Sequence, residues 1–169
     1  MDRDGEFAAY YAARGAALRN TAYLLCGDWH LAHDLTQTAL IKLYLVWSRV
    51  NRHGALDAYA RQVLVRVFLD ERRRPWRRER GTADQAVFDR PVHDPAVEER
   101  LAVRAALAEV PPRQRAAIVL RFWLDLSVDQ AAEALRCSPG TVKSQTARGL
   151  ATLRAALERT PELAEGQRR

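Results

Sequence analysis

The chain has 169 residues, 48% of them hydrophobic and 28% charged, which is enough apolar content for compact cores and excludes disorder throughout. Its formal charge of +6 divides as +3 over residues 1–74, 0 over 75–95 and +3 over 96–169, so both flanks are basic. Such a balance fits a polyanionic partner, and it would also fit an ordinary basic surface. Two distant cysteines, no apolar run of membrane-span length and an opening MDRDGEF with neither basic leader nor apolar stretch speak against a disulfide framework, membrane insertion and export. We expect a cytoplasmic protein.

Residues 4–26 form a helix, because Phe7, Tyr11, Arg14, Leu18, Ala22 and Leu25 recur at intervals of three and four. Gly27 and Asp28 stop it and cap the next, which runs over residues 29–47. That second helix is apolar around most of its circumference. Leu31, Leu35, Ala39 and Val46 share one side, Leu40, Leu43 and Trp47 another, Ile41 and Leu45 a third. A helix of this kind is either buried centrally or packed at home on one face and against a partner on the other, and the pattern leaves both open. In the second case Asp34, Gln37 and Lys42 are the specificity contacts of a docking face.

Residues 47–54 read as a basic, amide-bearing loop ending in Gly54. A third helix over 56–74 points Leu56, Tyr59, Ala60, Val63, Val67 and Leu64 inward and Arg61 and Arg66 outward. It runs into six arginines around Trp76 within residues 70–80. Interleaved cations and rings suit single-stranded nucleic acid, and a solvated helix end with cations at its C-terminus is the plain alternative. Residues 81–95 lose all periodicity and read as a linker.

Residues 96–110 give a helix through Val97, Leu101, Arg104 and Leu107, which Pro111-Pro112 ends, and residues 113–123 give another that turns Ile118, Leu120, Phe122 and Ala117 inward. The most informative stretch follows. Ser127 with Gln130 three residues on has the form of a capping box, starting a helix with Val128, Ala131, Ala132 and Leu135 inward. Arg136 and Cys137 make a turn; Ser138 is an N-cap and Pro139 occupies the first helical position, where its missing N–H costs nothing. On this last helix Val142, Thr146, Gly149, Leu150, Leu153 and Leu157 fall on one stripe, with Thr141, Ser144, Gln145, Arg148 and Thr152 on the other side. No acid occurs between Glu133 and Glu158. The pair reads as a helix-turn-helix whose second helix suits a DNA major groove, or else as a helical hairpin with a solvated basic face.

The fold expected is therefore all-α: two small helical domains joined by a flexible linker, the C-terminal one a helix-turn-helix. No Gly-rich phosphate loop, nucleophile elbow or His-centred triad occurs, so neither a cofactor nor enzymatic activity is expected. Cys26, His30 and His33 have a spacing that could suggest metal ligands. With no evident fourth ligand, and with both histidines suited to a helix start or surface, we expect no metal.

Several ordered blocks, AHDLTQTALIKLYLVW at 32–47, LDAYARQVLVRVFLDERRR at 56–74 and VPPRQRAAIVLRFWLDLSVDQAAEALRCSPGTVKSQTARGLATLR at 110–154, resemble the sigma-70 family in its small, two-domain extracytoplasmic-function group. The resemblance implies a region 2-like domain at 1–78, a linker at 79–95, a region 4-like helix-turn-helix domain at 96–160 and a tail at 161–169. It implies a promoter-specificity subunit whose partners are core RNA polymerase and promoter DNA. Asp34, Gln37 and Leu40 match the family's docking pattern for polymerase, with Leu43 and Trp47 on the same helix. Arg49, Asn51, Tyr59, Arg61 and Arg66 stand where the minus-ten element is recognised and opened, and Thr141, Lys143, Ser144, Gln145 and Arg148 where the minus-thirty-five element is read as duplex. Thr38, Arg66 and Gln145 depart from the residues frequent at their positions, which bears on promoter sequence rather than on class. An anti-sigma inhibitor would suit the basic surface and the exposed docking helix, and nothing in the sequence names one. The rival readings are a helix-turn-helix regulator that binds duplex DNA without polymerase, and a sigma-like interaction protein that sequesters a regulator.

Overall fold

The computed structural model describes residues 2–51, 54–73 and 95–159, with backbone alone for 95–97, and every regular element in them is a helix. Arg52, His53, the part of the Trp76 arginine cluster beyond Arg73, most of the linker and the tail lie outside the described residues, as does the Val97 side chain.

Helix α1 (Arg3–Cys26) starts on Asp2, whose carboxylate accepts the Gly5 N–H at 2.8 Å, and ends at Gly27, whose φ of +75° lets its N–H turn back to the Tyr23 carbonyl. A left-handed C-terminal residue is where glycine, free of a Cβ clash, is favoured. Asp28 then accepts the Leu31 N–H at 2.7 Å and opens α2 (Trp29–Leu45). The stop and start expected at Gly27-Asp28 are thus both present. With α4 (Leu56–Arg73) these helices form the first half of the core, in which Leu25, Leu43, Leu64 and Phe68 are wholly buried. Each such side chain contributes about 1.5–3 kcal/mol of transfer free energy.

One boundary expected for this half needs correction. The second helix stops at Leu45, and the expected loop begins as a short helix, α3 (Trp47–Asn51), because Trp47 and Val50 are drawn into the core. The Trp47 ring meets Phe7 and Tyr10 edge-on at 5.3 and 5.5 Å. Tyr11 is 47% exposed and lies along the surface over Gly15, where an added Cβ would stand 2.9 Å from the ring. On α4, Val65 and Leu69 are buried as well, although helical spacing turns them away from Ala60 and Leu64.

The second half comprises α5 (Pro95–Glu109), α6 (Pro112–Ile118), which continues as a π-helical turn over Val119–Trp123, α7 (Val128–Leu135) and α8 (Pro139–Glu158). The wider turn shows in the Leu124 N–H reaching the Val119 carbonyl, five residues back. It advances the register by a residue, so Leu120 stays in the core while Phe122, expected inward, is 60% exposed beside Trp123 at 58%. Leu101 is 45% exposed, while Ala106, Leu107 and Val110 are buried.

The two halves meet across one continuous core. Beyond its neighbours in the first half, α4 packs against α6 and α7. Arg115 of α6 is 4% exposed and donates to the Leu25 carbonyl at the end of α1 at 2.7 Å. Arg104 of α5 stands 5.0 Å over the Tyr23 ring, which in turn stacks on Trp29.

Candidate docking and nucleic-acid interfaces

On α2, positions 34, 37, 41 and 45 fall on one stripe at helical spacing. All four side chains there are exposed: Asp34, Gln37, Ile41 at 60% and Leu45 at 72%. Two large aliphatic side chains held in water, one and two turns beyond an acid and an amide on the same stripe, form an exposed apolar patch of the kind that partners cover. The other sequence-proposed docking residues, Leu40, Leu43 and Trp47, are 6%, 0% and 2% exposed and belong to the protein's own core. They brace the stripe from behind. Ile41 and Leu45 complete this exposed stripe, and the signal for them is in the sequence, since they continue the Asp34 register by seven and eleven.

Of the minus-ten candidates, Arg49 is exposed on α3, and Asn51 is half-buried with its amide donating to Glu6 at 2.9 Å. The same carboxylate oxygen accepts the Trp47 indole N–H at 3.2 Å, so Glu6 ties α3 to α1. Tyr59 and Arg66 are two turns apart on one side of α4, both half-buried. Arg61 lies on another side, near Tyr10, whose hydroxyl donates to Asp57 at 3.1 Å. Burial and then the Asp57 charge push the Tyr10 phenol upward, so it stays protonated. Burial, followed by the Arg136 charge, lowers the Arg66 guanidinium, with Tyr59, Glu133 and Asp70 acting in the opposite sense. The Nε atoms of Arg61 and Arg66 are buried without a hydrogen-bond partner.

The helix-turn-helix is built as its sequence requires. Ser127 Oγ accepts the Gln130 N–H at 3.1 Å while Gln130 Oε1 accepts the Ser127 N–H at 2.8 Å, completing the capping box. Arg136 ends α7 with φ +51°, and Ser138 Oγ accepts the Thr141 N–H at 3.1 Å to open α8, with Pro139 in its first turn. Val142, Gly149 and Ala156 are the buried line of α8. Gly149 is there for closeness: a Cβ would stand 2.7 Å from the end of Ile118 and 3.2 Å from the Gln114 carbonyl of α6. Opposite that line Lys143, Ser144 and Arg148 are exposed, while Thr141 and Gln145 are half-buried nearer the edge. The arrangement offers hydroxyl, amide and guanidinium donors on one helix face.

Among the described residues no three His, Cys, Asp or Glu side chains gather as metal ligands; Cys26 is buried with its thiol on the Asp28 carbonyl at 3.2 Å, whereas His30 and His33 are exposed. No described helix is long and apolar enough to cross a membrane.

Fold and faces together define, among the described residues, an all-helical protein of two halves, the second containing a helix-turn-helix and the first a helix with an exposed apolar stripe. Residues 10–78 match the family model for sigma-70 region 2, and residues 100–153 that for sigma-70 region 4. The chain is 37% identical over 160 residues to the RNA polymerase sigma-E factor of Streptomyces avermitilis, covering 90% of this chain and 86% of that protein. The Streptomyces coelicolor sigma-E factor is likewise 37% identical, with the same coverage. The ECF RNA polymerase sigma factor SigE of Mycolicibacterium smegmatis is 35% identical over 79% of this chain and 54% of its own length. Among solved structures, the Bartonella quintana sigma factor RpoE, crystallised with the anti-sigma factor NepR, shares the fold with a TM-score of 0.67 at 22% identity, covering 92% of this chain and 98% of that one. CnrH, in complex with the cytosolic domain of CnrY, gives 0.65 at 20%, covering 91% and 88%. The chain belongs to the sigma-70 family of RNA polymerase sigma factors, in its extracytoplasmic-function group. It is a transcription initiation factor, one that binds core RNA polymerase and directs initiation at chosen promoters.

Proposed function

We propose a division of labour between named faces. The α2 stripe of Asp34, Gln37, Ile41 and Leu45 docks on core RNA polymerase, with Leu40, Leu43 and Trp47 holding its shape from the interior. Arg49, Asn51, Tyr59, Arg61 and Arg66 serve the minus-ten element, and Thr141, Lys143, Ser144, Gln145 and Arg148 the minus-thirty-five element. Residues 1–78 and 96–160 act as the two functional units, tethered by 79–95, and the protein works in the cytoplasm. The observation that carries the reading is the pair of large aliphatic side chains, 60% and 72% exposed, on the one helix register that also carries Asp34 and Gln37. An anti-sigma inhibitor, of the kind bound by the Bartonella RpoE, is a further partner, covering the same exposed stripe.

Run-off transcription on genomic fragments, with purified core polymerase and this protein, tests the reading. Promoter-specific transcripts appear only when the protein is added. Their absence, where a control sigma factor succeeds with the same core, would refute it.

A further inference from the structure

A single oxygen atom of α1 holds α3 at both of its ends. Trp47 and Asn51 stand four residues apart, so their side chains leave α3 on the same side, one turn from each other. The Trp47 indole N–H at 3.2 Å and the Asn51 amide at 2.9 Å both donate to the same carboxylate oxygen of Glu6. Four and eight residues further along that stripe of α1 come Tyr10 and Arg14, and both reach Asp57 in the first turn of α4. The phenol donates to it at 3.1 Å and the guanidinium pairs with it at 3.2 Å. Glu6, Tyr10 and Arg14 therefore grip, from one side of one helix, the last residue of α3 and the first turn of α4.

Asn51 belongs to the residues assigned to the minus-ten element, yet its amide is turned inward onto Glu6. A side-chain amide that reads a base needs its donor and acceptor facing that base together. Both donors to Glu6 are neutral, so the geometry uses the acceptor oxygen rather than an ion pair. The end of α2 is anchored separately. Arg3 donates to the Tyr44 carbonyl at 2.5 Å and lies 4.0 Å over the Tyr44 ring, whose hydroxyl donates to Asp4 at 2.5 Å. Loss of the Glu6 bonds thus loosens α3, while the docking stripe that ends at Leu45 keeps its own anchors.

We propose that Glu6 is a positioning residue for the minus-ten face: it fixes α3 through Trp47 and Asn51, so that Arg49 on the same short helix is presented to the opening strand, and Asn51 acts by being held rather than by reading a base. This role rests on the assignment of α3 and α4 to the minus-ten element. Because both bonds end on one acceptor, glutamine in place of Glu6 can keep both. An aspartate at position 51 is accommodated only when an amide, not a carboxylate, stands opposite it.

The test uses the full chain with saturating core polymerase on the genomic fragment that gives the strongest run-off transcript, strand opening being followed by permanganate attack on unpaired thymines. Glu6→Ala and Asn51→Asp each slow opening by about tenfold or more, as loss of hydrogen bonds to a charged acceptor does, at unchanged core affinity and helix content. Glu6→Gln stays within about twofold of wild type, since the acceptor is kept. The deciding variant combines Glu6→Gln with Asn51→Asp. There the amide donates to the new carboxylate while its carbonyl still accepts from Trp47, and opening returns to within about threefold of wild type. A pair as slow as Asn51→Asp alone means that Asn51 itself donates to DNA, which overturns the proposal and keeps the assignment of α3. Losses of core affinity or helix content as large as the loss of opening make Glu6 a folding residue only, and overturn it too. If no single variant slows opening the proposal fails, and Arg61→Ala then tells how far. Slowed opening in Arg61→Ala leaves α4 on the minus-ten element; unchanged opening removes that assignment as well.

Discussion

Replacing Ile41 and Leu45 together by alanine separates docking from folding, because both side chains are held mostly in water. Full burial of an aliphatic side chain of this size contributes about 1.5–3 kcal/mol. Ile41 is 60% and Leu45 72% exposed, and alanine keeps a Cβ. The share available to a partner is then about 1–1.5 kcal/mol each, or about 2–3 kcal/mol for the pair. At 1.4 kcal/mol per decade this weakens core binding by roughly 30- to 150-fold. Alanine is a better helix former than isoleucine, and neither site contributes to the core, so unfolding free energy should move by no more than about 0.5 kcal/mol. Leu43→Ala is the contrasting control: at 0% exposure it loses about 2–5 kcal/mol of stability through transfer and cavity terms. Anisotropy titration of labelled protein with core polymerase, beside thermal melts of the same samples, gives both quantities. Wild-type core affinity in the double variant, or a melting loss as large as that of Leu43→Ala, would contradict the assignment of this stripe.

Arg148→Ala should weaken binding to a duplex carrying the upstream element by about 1–3 kcal/mol in a mobility-shift titration while leaving core affinity unchanged; equal losses in both would indicate misfolding. Ser127→Ala removes one of the two capping-box bonds and should lower stability by about 1 kcal/mol, a fall of about 2–4 °C in melting temperature for a chain this size; an unchanged melt would mean the helix is held by packing alone. Burial pushes the Cys26 thiol up to about 11 from 9.0, so at pH 8 a thiol reagent should modify the half-buried Cys137 rapidly and Cys26 only on unfolding. Because that pKa is raised in the folded state, the stability it confers is complete below pH 9 and is lost as pH climbs through 11. The melting difference between wild type and Cys26→Ala should therefore shrink over that interval, and a constant difference would rule the linkage out.

What the amino-acid order settled unaided is whatever depends on atoms three or four residues apart. The Gly27-Asp28 stop and start, the Ser127–Gln130 box and the Ser138-Pro139 opening of the recognition helix are hydrogen bonds and dihedral preferences within a single turn, and each is found where its residues stand. The family blocks and the helical alternation on α8 were legible for the same reason, as was the exposure of Ser144 and Arg148. The side of α2 that faces water was not legible, because a helix apolar on several sides fixes how its side chains are arranged relative to one another but not which side the rest of the chain will cover. Only packing against α1 and α4 put Leu40, Leu43 and Trp47 inside and left Ile41 and Leu45 outside. The register slip that exposes Phe122, the second covered face of α4 at Val65 and Leu69, and the reach of Arg115 to a carbonyl ninety positions away in the chain likewise came from tertiary structure. Burial is a sum over neighbours distant in sequence, and no window of consecutive residues contains it.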